Sequence, residues 1–126
     1  MSEQRILIVE DEPKIAGLLA DYLQAMGGYR TEVLARGDVV LAQVRAEPPD
    51  LVLLDVMMRD IDGFEALKRI RQRYSMLQIP VIMITTKDQE TDKVWAKRQG
   101  ASEYLVKPVA QQALLSSIDN LLKGIA

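Results

Sequence analysis

The chain has 126 residues, 48% of them hydrophobic and 27% charged, with 16 basic against 18 acidic side chains and a formal charge of -2. It contains neither cysteine nor histidine, which excludes disulfides, thiolate catalysis, Cys-ligated zinc, the Ser-His-Asp arrangement and phosphohistidine chemistry on the chain itself. The length suits one domain over residues 1–126, the near balance of charge argues against direct nucleic-acid binding, and no apolar run approaches the roughly 18 residues of a membrane span. The polar start, without a basic segment and hydrophobic stretch, leaves the cytoplasm as the expected compartment.

Five short apolar runs alternate with helical patterns. Ile6-Leu7-Ile8-Val9 is the first. Pro13 then opens a helix on which Ile15, Leu18, Leu19, Leu23 and Met26 recur on one face, stopped by Gly27 and Gly28. Thr31 to Leu34, with polar residues interleaved, reads as an edge strand, and a short helix runs from about Asp38 to Ala46. Leu51-Val52-Leu53-Leu54 is the third run, followed by a helix over Gly63 to Tyr74 carrying Phe64, Leu67 and Ile70. Val81 to Ile84 precedes a helix from Thr91 to Gln99 with Val94 and Trp95. Tyr104-Leu105-Val106 precedes a last helix striped by Leu114, Ile118, Leu121, Leu122 and Ile125. Continuous apolar strands are those covered on both faces. Five β-α repeats therefore predict an α/β three-layer sandwich, a doubly wound five-stranded parallel sheet with right-handed crossovers. Patterning leaves strand orders 3-2-1-4-5 and 2-1-3-4-5 both open.

Ligands of open α/β sheets sit at the carboxyl ends of the strands. Four of the five runs end in polar groups: Glu10-Asp11-Glu12, Asp55, Thr85-Thr86 and Lys107-Pro108. With the first and third strands adjacent, Glu10, Asp11 and Asp55 crowd together, and like charges that close call for a cation among them. Oxygen ligands without histidine indicate Mg²⁺. A carboxylate nucleophile, Mg²⁺, a lysine and a hydroxyl make a phosphoryl-transfer site. Asp55 attacks phosphorus, Lys107 neutralises the equatorial oxygens and Thr85 donates to one of them. Each piece also has a plain structural reading. The acidic triplet before Pro13 can cap a helix, Asp55 can begin a turn, and Lys107 can be a solvated charge. Their coincidence at successive strand ends favours the site.

At these residues the chain resembles a response regulator receiver domain of the CheY-like fold. The motifs are Ile6 to Pro13, Leu53 to Met58 with Asp62-Gly63, Thr85-Thr86, and Gly100-Ala101 with Tyr104 to Pro108, in order along nearly the whole chain. The resemblance implies strand order 2-1-3-4-5 and phosphorylation of Asp55 from a phosphohistidine on a sensor histidine kinase or histidine phosphotransfer protein. It implies Mg²⁺ held by Glu10, Asp11, Asp55 and the backbone carbonyl of Met57, and a switch pair in which phosphate draws Thr85 inward and Tyr104 rotates into the vacated space. The Lys107–Pro108 bond is usually cis in the family. Such a domain catalyses its own phosphorylation and dephosphorylation but acts as a signalling protein.

The chain departs from the family at several positions. Arg59 stands where proline is frequent, and Arg59-Asp60-Ile61-Asp62 predicts a more charged, more mobile loop in which Arg59 either approaches the phosphoryl group or faces water. Thr86 is bulkier than the usual Ala or Ser and narrows phosphate access. Thr86 and Lys87, beside Arg59, are candidate modulators. The stretch Thr85 to Ala101 looks like the PilH-type single-domain regulators of type IV pilus motility, whereas the first half looks closer to OmpR-family receivers, which carry a DNA-binding domain downstream. Trp95 packs in the core or stands exposed as a docking aromatic. The face of the fourth helix, fifth strand and fifth helix, made sticky by Leu115, is the expected contact for a protein partner or a homodimer. Competing readings are a receiver excised from a transcription factor, a pseudo-receiver that never takes phosphate, and a small phosphohydrolase, for which 126 residues leave little room.

Overall fold

The computed structural model describes residues 4–123. Five strands, β1 (Arg5–Val9), β2 (Arg30–Leu34), β3 (Leu51–Asp55), β4 (Val81–Thr85) and β5 (Glu103–Val106), alternate with five helices. The helices are α1 (Pro13–Gly27), α2 (Val40–Ala46), α3 (Gly63–Arg71), α4 (Glu90–Arg98) and α5 (Gln111–Lys123). The strands are all parallel, in the order β2-β1-β3-β4-β5. Of the two orders the patterning allows, this is the one the receiver resemblance implies.

Strand alternation divides the core. Leu7, Val9, Val52, Leu54, Val81 and Met83 face one side, against Val40 and Val44 of α2, Ala66, Leu67 and Ile70 of α3, and Ala96 of α4. Ile6, Ile8, Leu51, Leu53, Ile82 and Ile84 face the other, against Ala20 and Leu23 of α1 and Leu114 and Ile118 of α5. β3 and β4 are buried along their length, which is why they read as unbroken apolar runs. β2 pairs only with β1 and is the expected edge.

Several expectations change. On α1 the core face is Ala16, Ala20 and Leu23, while Leu18 and Met26 are 64% and 67% exposed. Small alanines let the helix lie close to the sheet, and the larger apolar side chains are left at its margin. α2 begins at Val40 rather than Asp38, and α3 ends at Arg71, short of Tyr74. Leu115 packs against the α1-side core, near Gly27 and Tyr29, and not on the α4–β5–α5 face. Ile125 lies outside the described residues.

Candidate functional site

Strand order reverses between β1 and β3, and the crevice that opens at their carboxyl ends is where this sheet type binds ligands. Four strand ends deliver Glu10, Asp11, Asp55, Thr85 and Lys107 to that edge. Gly63 allows α3 to start hard against β3. A Cβ there would come within 2.6 Å of the Asp55 carbonyl oxygen and the Val56 Cα, so the turn that holds Asp55 requires glycine. Asp62 caps this helix by accepting the Phe64 N–H at 2.7 Å.

The carboxylates of Glu10, Asp11 and Asp55 each offer an oxygen, and these oxygens lie within 4.8 Å of one another. Glu10 and Asp55 are both buried. The Lys107 ammonium stands between them, 3.3 Å from Glu10 Oε1 and 3.3 Å from Asp55 Oδ1. Burial holds the Glu10 carboxyl above its ordinary range, and neighbouring Asp55 adds to this, against the Glu12 N–H and Lys107, which favour its charged form. One lysine thus shares two buried carboxylates, with a third beside them. Such a set of hard oxygen donors suits a divalent cation such as Mg²⁺.

The acidic triplet divides its labour. The Glu12 side chain accepts the Lys14 N–H as the α1 N-cap, the capping role weighed for the whole triplet, while Glu10 and Asp11 turn toward Asp55. The Met57 N–H donates to Asp55 Oδ1 at 3.2 Å, and its own side chain is exposed. Thr85 is fully buried, and its Oγ1 accepts the Lys87 N–H at 3.2 Å. The Tyr104 hydroxyl donates to the Lys87 carbonyl at 3.0 Å. The Tyr104 ring is buried, and this bond straps it to the β4–α4 turn. Burial, then Asp92 and Asp88, push the pKa of its hydroxyl above the usual tyrosine value. The Lys107–Pro108 bond is cis.

The remaining candidates sit on the rim. Thr86 lines a cavity of about 490 Å³ with Ile15, Leu18, Lys107, Pro108 and Val109, on the α1 side of the crevice. Arg59 is exposed, yet its Nε approaches Asp11. The charged loop of residues 57–62 is attached rather than free: Met57 and Asp62 form a bridge across it, and the Asp60 carboxylate accepts the Asp38 N–H at 2.9 Å. The contacts of Gly37 and Asp38 with this loop carry no sequence signal. The two residues follow an edge strand with no polar terminus, and Asp60, the partner of Asp38, is 22 residues away. Trp95 is 53% exposed and does not pack in the core, the first of its two readings.

The chain matches the sequence profile of the response regulator receiver domain over residues 6–119. It is 46% identical over 120 residues to the protein PilH of Pseudomonas aeruginosa, an alignment covering 95% of this chain and 98% of that one. It is 42% identical over 119 residues to the transcriptional regulatory protein BaeR of Escherichia coli, covering 94% of this chain and 48% of BaeR. The chain thus spans nearly all of the first relative and about half of the second, and both alignments run through both of its halves. Among solved structures it resembles the BeF3-activated receiver domain of Klebsiella pneumoniae RstA, with a TM-score of 0.86 and 31% identity, over 95% of this chain and 99% of that one. Among the described residues no helix is long and apolar enough to cross a membrane.

Proposed function

The chain belongs to the family of response regulator receiver domains, and we propose that Asp55 is the residue through which it works, taking the phosphoryl group from a phosphohistidine on a sensor histidine kinase or histidine phosphotransfer protein. A receiver of a two-component system signals through a phosphorylated aspartate. The observation that singles out Asp55 is its place at the switch point, with Lys107 and the acidic cluster around it. The hydrogen bonds its carboxylate accepts from Met57 and Lys107 both fall on Oδ1. Oδ2 is left to attack.

In that step the new O–P bond forms on Oδ2 as the donor's N–P bond breaks. The imidazole leaves with the electron pair and takes a proton from water. The Lys107 ammonium meets the equatorial oxygens, and the Thr85 hydroxyl turns toward one of them. Glu10, Asp11, Asp55 and the Met57 carbonyl would hold Mg²⁺, which when bound offsets the charge on the phosphoryl oxygens. Thr86, which lines the cavity beside Lys107, and its neighbour Lys87 modulate entry. Hydrolysis of the acyl phosphate resets the domain, so its catalysis serves signalling.

The output in this reading is the face of α4, β5 and α5, which meets a protein partner or a second copy; Val94 and Trp95 of α4 are exposed. Likeness to PilH supports a role in chemosensory or pilus motility control. Likeness to BaeR supports the second reading, the receiver portion of a transcriptional regulator. A basic helical or winged segment encoded after Ala126 in the source gene would decide for the latter.

The test is incubation with Mg²⁺ and acetyl phosphate, followed by intact mass, with beryllofluoride binding followed through Trp95 fluorescence. The expected result is one phosphoryl adduct in the wild type and none in Asp55→Ala. An adduct that survives Asp55→Ala overturns the assignment. No adduct and no Mg²⁺ uptake in the wild type makes the domain a pseudo-receiver.

A further inference from the structure

Arg59 has no part in the phosphoryl step above, yet two of its atoms converge on one oxygen of the acidic cluster. Its backbone N–H donates to Asp11 Oδ2 at 2.9 Å, and its guanidinium Nε lies 3.9 Å from the same oxygen. The arginine side chain is 84% exposed and that of Asp11 only 16%. The positive charge therefore lies on the solvent side of the cluster, over the carboxylate nearest the surface, whereas Lys107 serves the two buried ones from within.

The loop that carries Arg59 is built to hold it there. The Met57–Asp62 bridge closes its base. Its outer side rests on the β2–α2 turn, where Asp60 accepts the Asp38 N–H. Ile61 and Met58 lie so close to Gly37 that a Cβ there would come within 2.4 Å of Ile61 Cγ2 and 2.6 Å of Met58 Cε. An arginine on a tethered loop keeps its main-chain N–H on Asp11 while its guanidinium stays free to leave.

We infer that Arg59 is a positioning residue for cation loading: it orients Asp11 and occupies its outer oxygen, so that a divalent cation must displace the guanidinium to use that carboxylate. The inference rests on the reading of Glu10, Asp11 and Asp55 as a divalent-cation site. Arg59 thereby weakens cation binding through one contact, and the weakening is electrostatic. The contact is a charge approach and not a two-pronged fork, so lysine can replace arginine in it. Being exposed, it yields to salt.

The experiment is a Mn²⁺ titration of the full chain, with free Mn²⁺ read by electron paramagnetic resonance at low and high ionic strength. Arg59→Gln keeps the main-chain N–H and removes the charge. It should bind Mn²⁺ roughly two- to fivefold more tightly at low salt, the scale of an exposed ion pair, and the gain should shrink at high salt. Arg59→Lys should restore the wild-type affinity. Combined with Asp11→Asn, Arg59→Gln should leave whatever affinity remains unchanged. Equal affinities of the wild type and Arg59→Gln overturn the inference and leave the cation site standing. So does an equal gain in the Asp11→Asn background, which would make the charge act on the whole cluster rather than on Asp11. If neither the wild type nor Arg59→Gln takes up Mn²⁺, the inference and the cation site fall together.

Discussion

Helices α3 and α4 are both nine residues long, and they follow the adjacent central strands β3 and β4. They are attached to the sheet very differently. α3 buries Gly63, Ala66, Leu67 and Ile70, and its first turn is capped by the Asp62 side chain. α4 buries Ala96 alone, its N-cap Gln89 makes no capping hydrogen bond with its side chain, and Val94 and Trp95 face solvent. At the root of the anchored helix stands Asp55, and at the root of the loosely held one stands Thr85. A nucleophile needs a fixed position, and a reporting element needs a second position of similar energy. The proposed nucleophile thus stands under the better-anchored helix and the candidate switch under the more loosely held one.

The contrast breaks most visibly in the core. Leu67→Ala removes a fully buried side chain between α3 and the sheet and should cost about 2–5 kcal/mol of unfolding free energy. Trp95→Ala takes away a larger side chain from a surface position and should stay within roughly 0.5 kcal/mol. Urea unfolding followed by far-ultraviolet circular dichroism measures both. A loss at Trp95 comparable to that at Leu67 would mean that α4 is anchored like α3 and that the division of roles is wrong.

The same contrast marks where sequence reading succeeds. β3 and β4 are legible because strands covered on both faces are continuous in apolar residues, and their polar ends stand out at once: Asp55 and Thr85 each close such a run. Which helix face lies inward was less legible. Ala16 and Ala20 carry little hydrophobic signal, yet their size sets the approach of α1 to the sheet, whereas Leu18 and Met26 carry a strong signal and lie outside. Strand order is a nonlocal property that composition and period do not encode, and it came only with the receiver resemblance. The clustering of Glu10, Asp11 and Asp55 followed once β1 and β3 were neighbours. The tie between Arg59 and Asp11 spans 48 residues and depends on the path of a loop, so no local pattern announces it. The inward position of Tyr104 is a rotamer, which sequence does not specify.

A smaller effect separates the two helix starts. Asp62→Ala removes the acceptor of the Phe64 N–H and should cost about 1 kcal/mol, the usual value of an N-cap. Gln89→Ala removes a side chain with no capping bond and should be silent to within about 0.5 kcal/mol. Hydrogen exchange sharpens the point. The amides of α4 should exchange through openings of lower free energy than those of α3, because few apolar contacts must break to release them.

A small effect at neutral pH is expected at Tyr104, a buried side chain that ties the β4–α4 turn to the sheet. Tyr104→Phe removes the hydrogen bond to the Lys87 carbonyl, for a loss of about 1 kcal/mol or less. Its signature lies in alkali. The folded state holds this hydroxyl protonated above the ordinary tyrosine range, chiefly through burial and then through Asp92. Below that range both folded and unfolded chains keep the proton, and the stabilisation is intact. As pH rises past about 10, the unfolded chain ionises first, and stability falls until the folded group ionises as well. Tyr29, whose hydroxyl donates to Asp119 and is raised by burial, contributes a fall of the same sign. The wild type should therefore lose stability above pH 10 more steeply than Tyr104→Phe, while Tyr29 keeps a residual slope in both. Parallel curves would mean that Tyr104 ionises as freely in the folded protein as in the unfolded chain, and that the strap holding the start of α4 opens without cost.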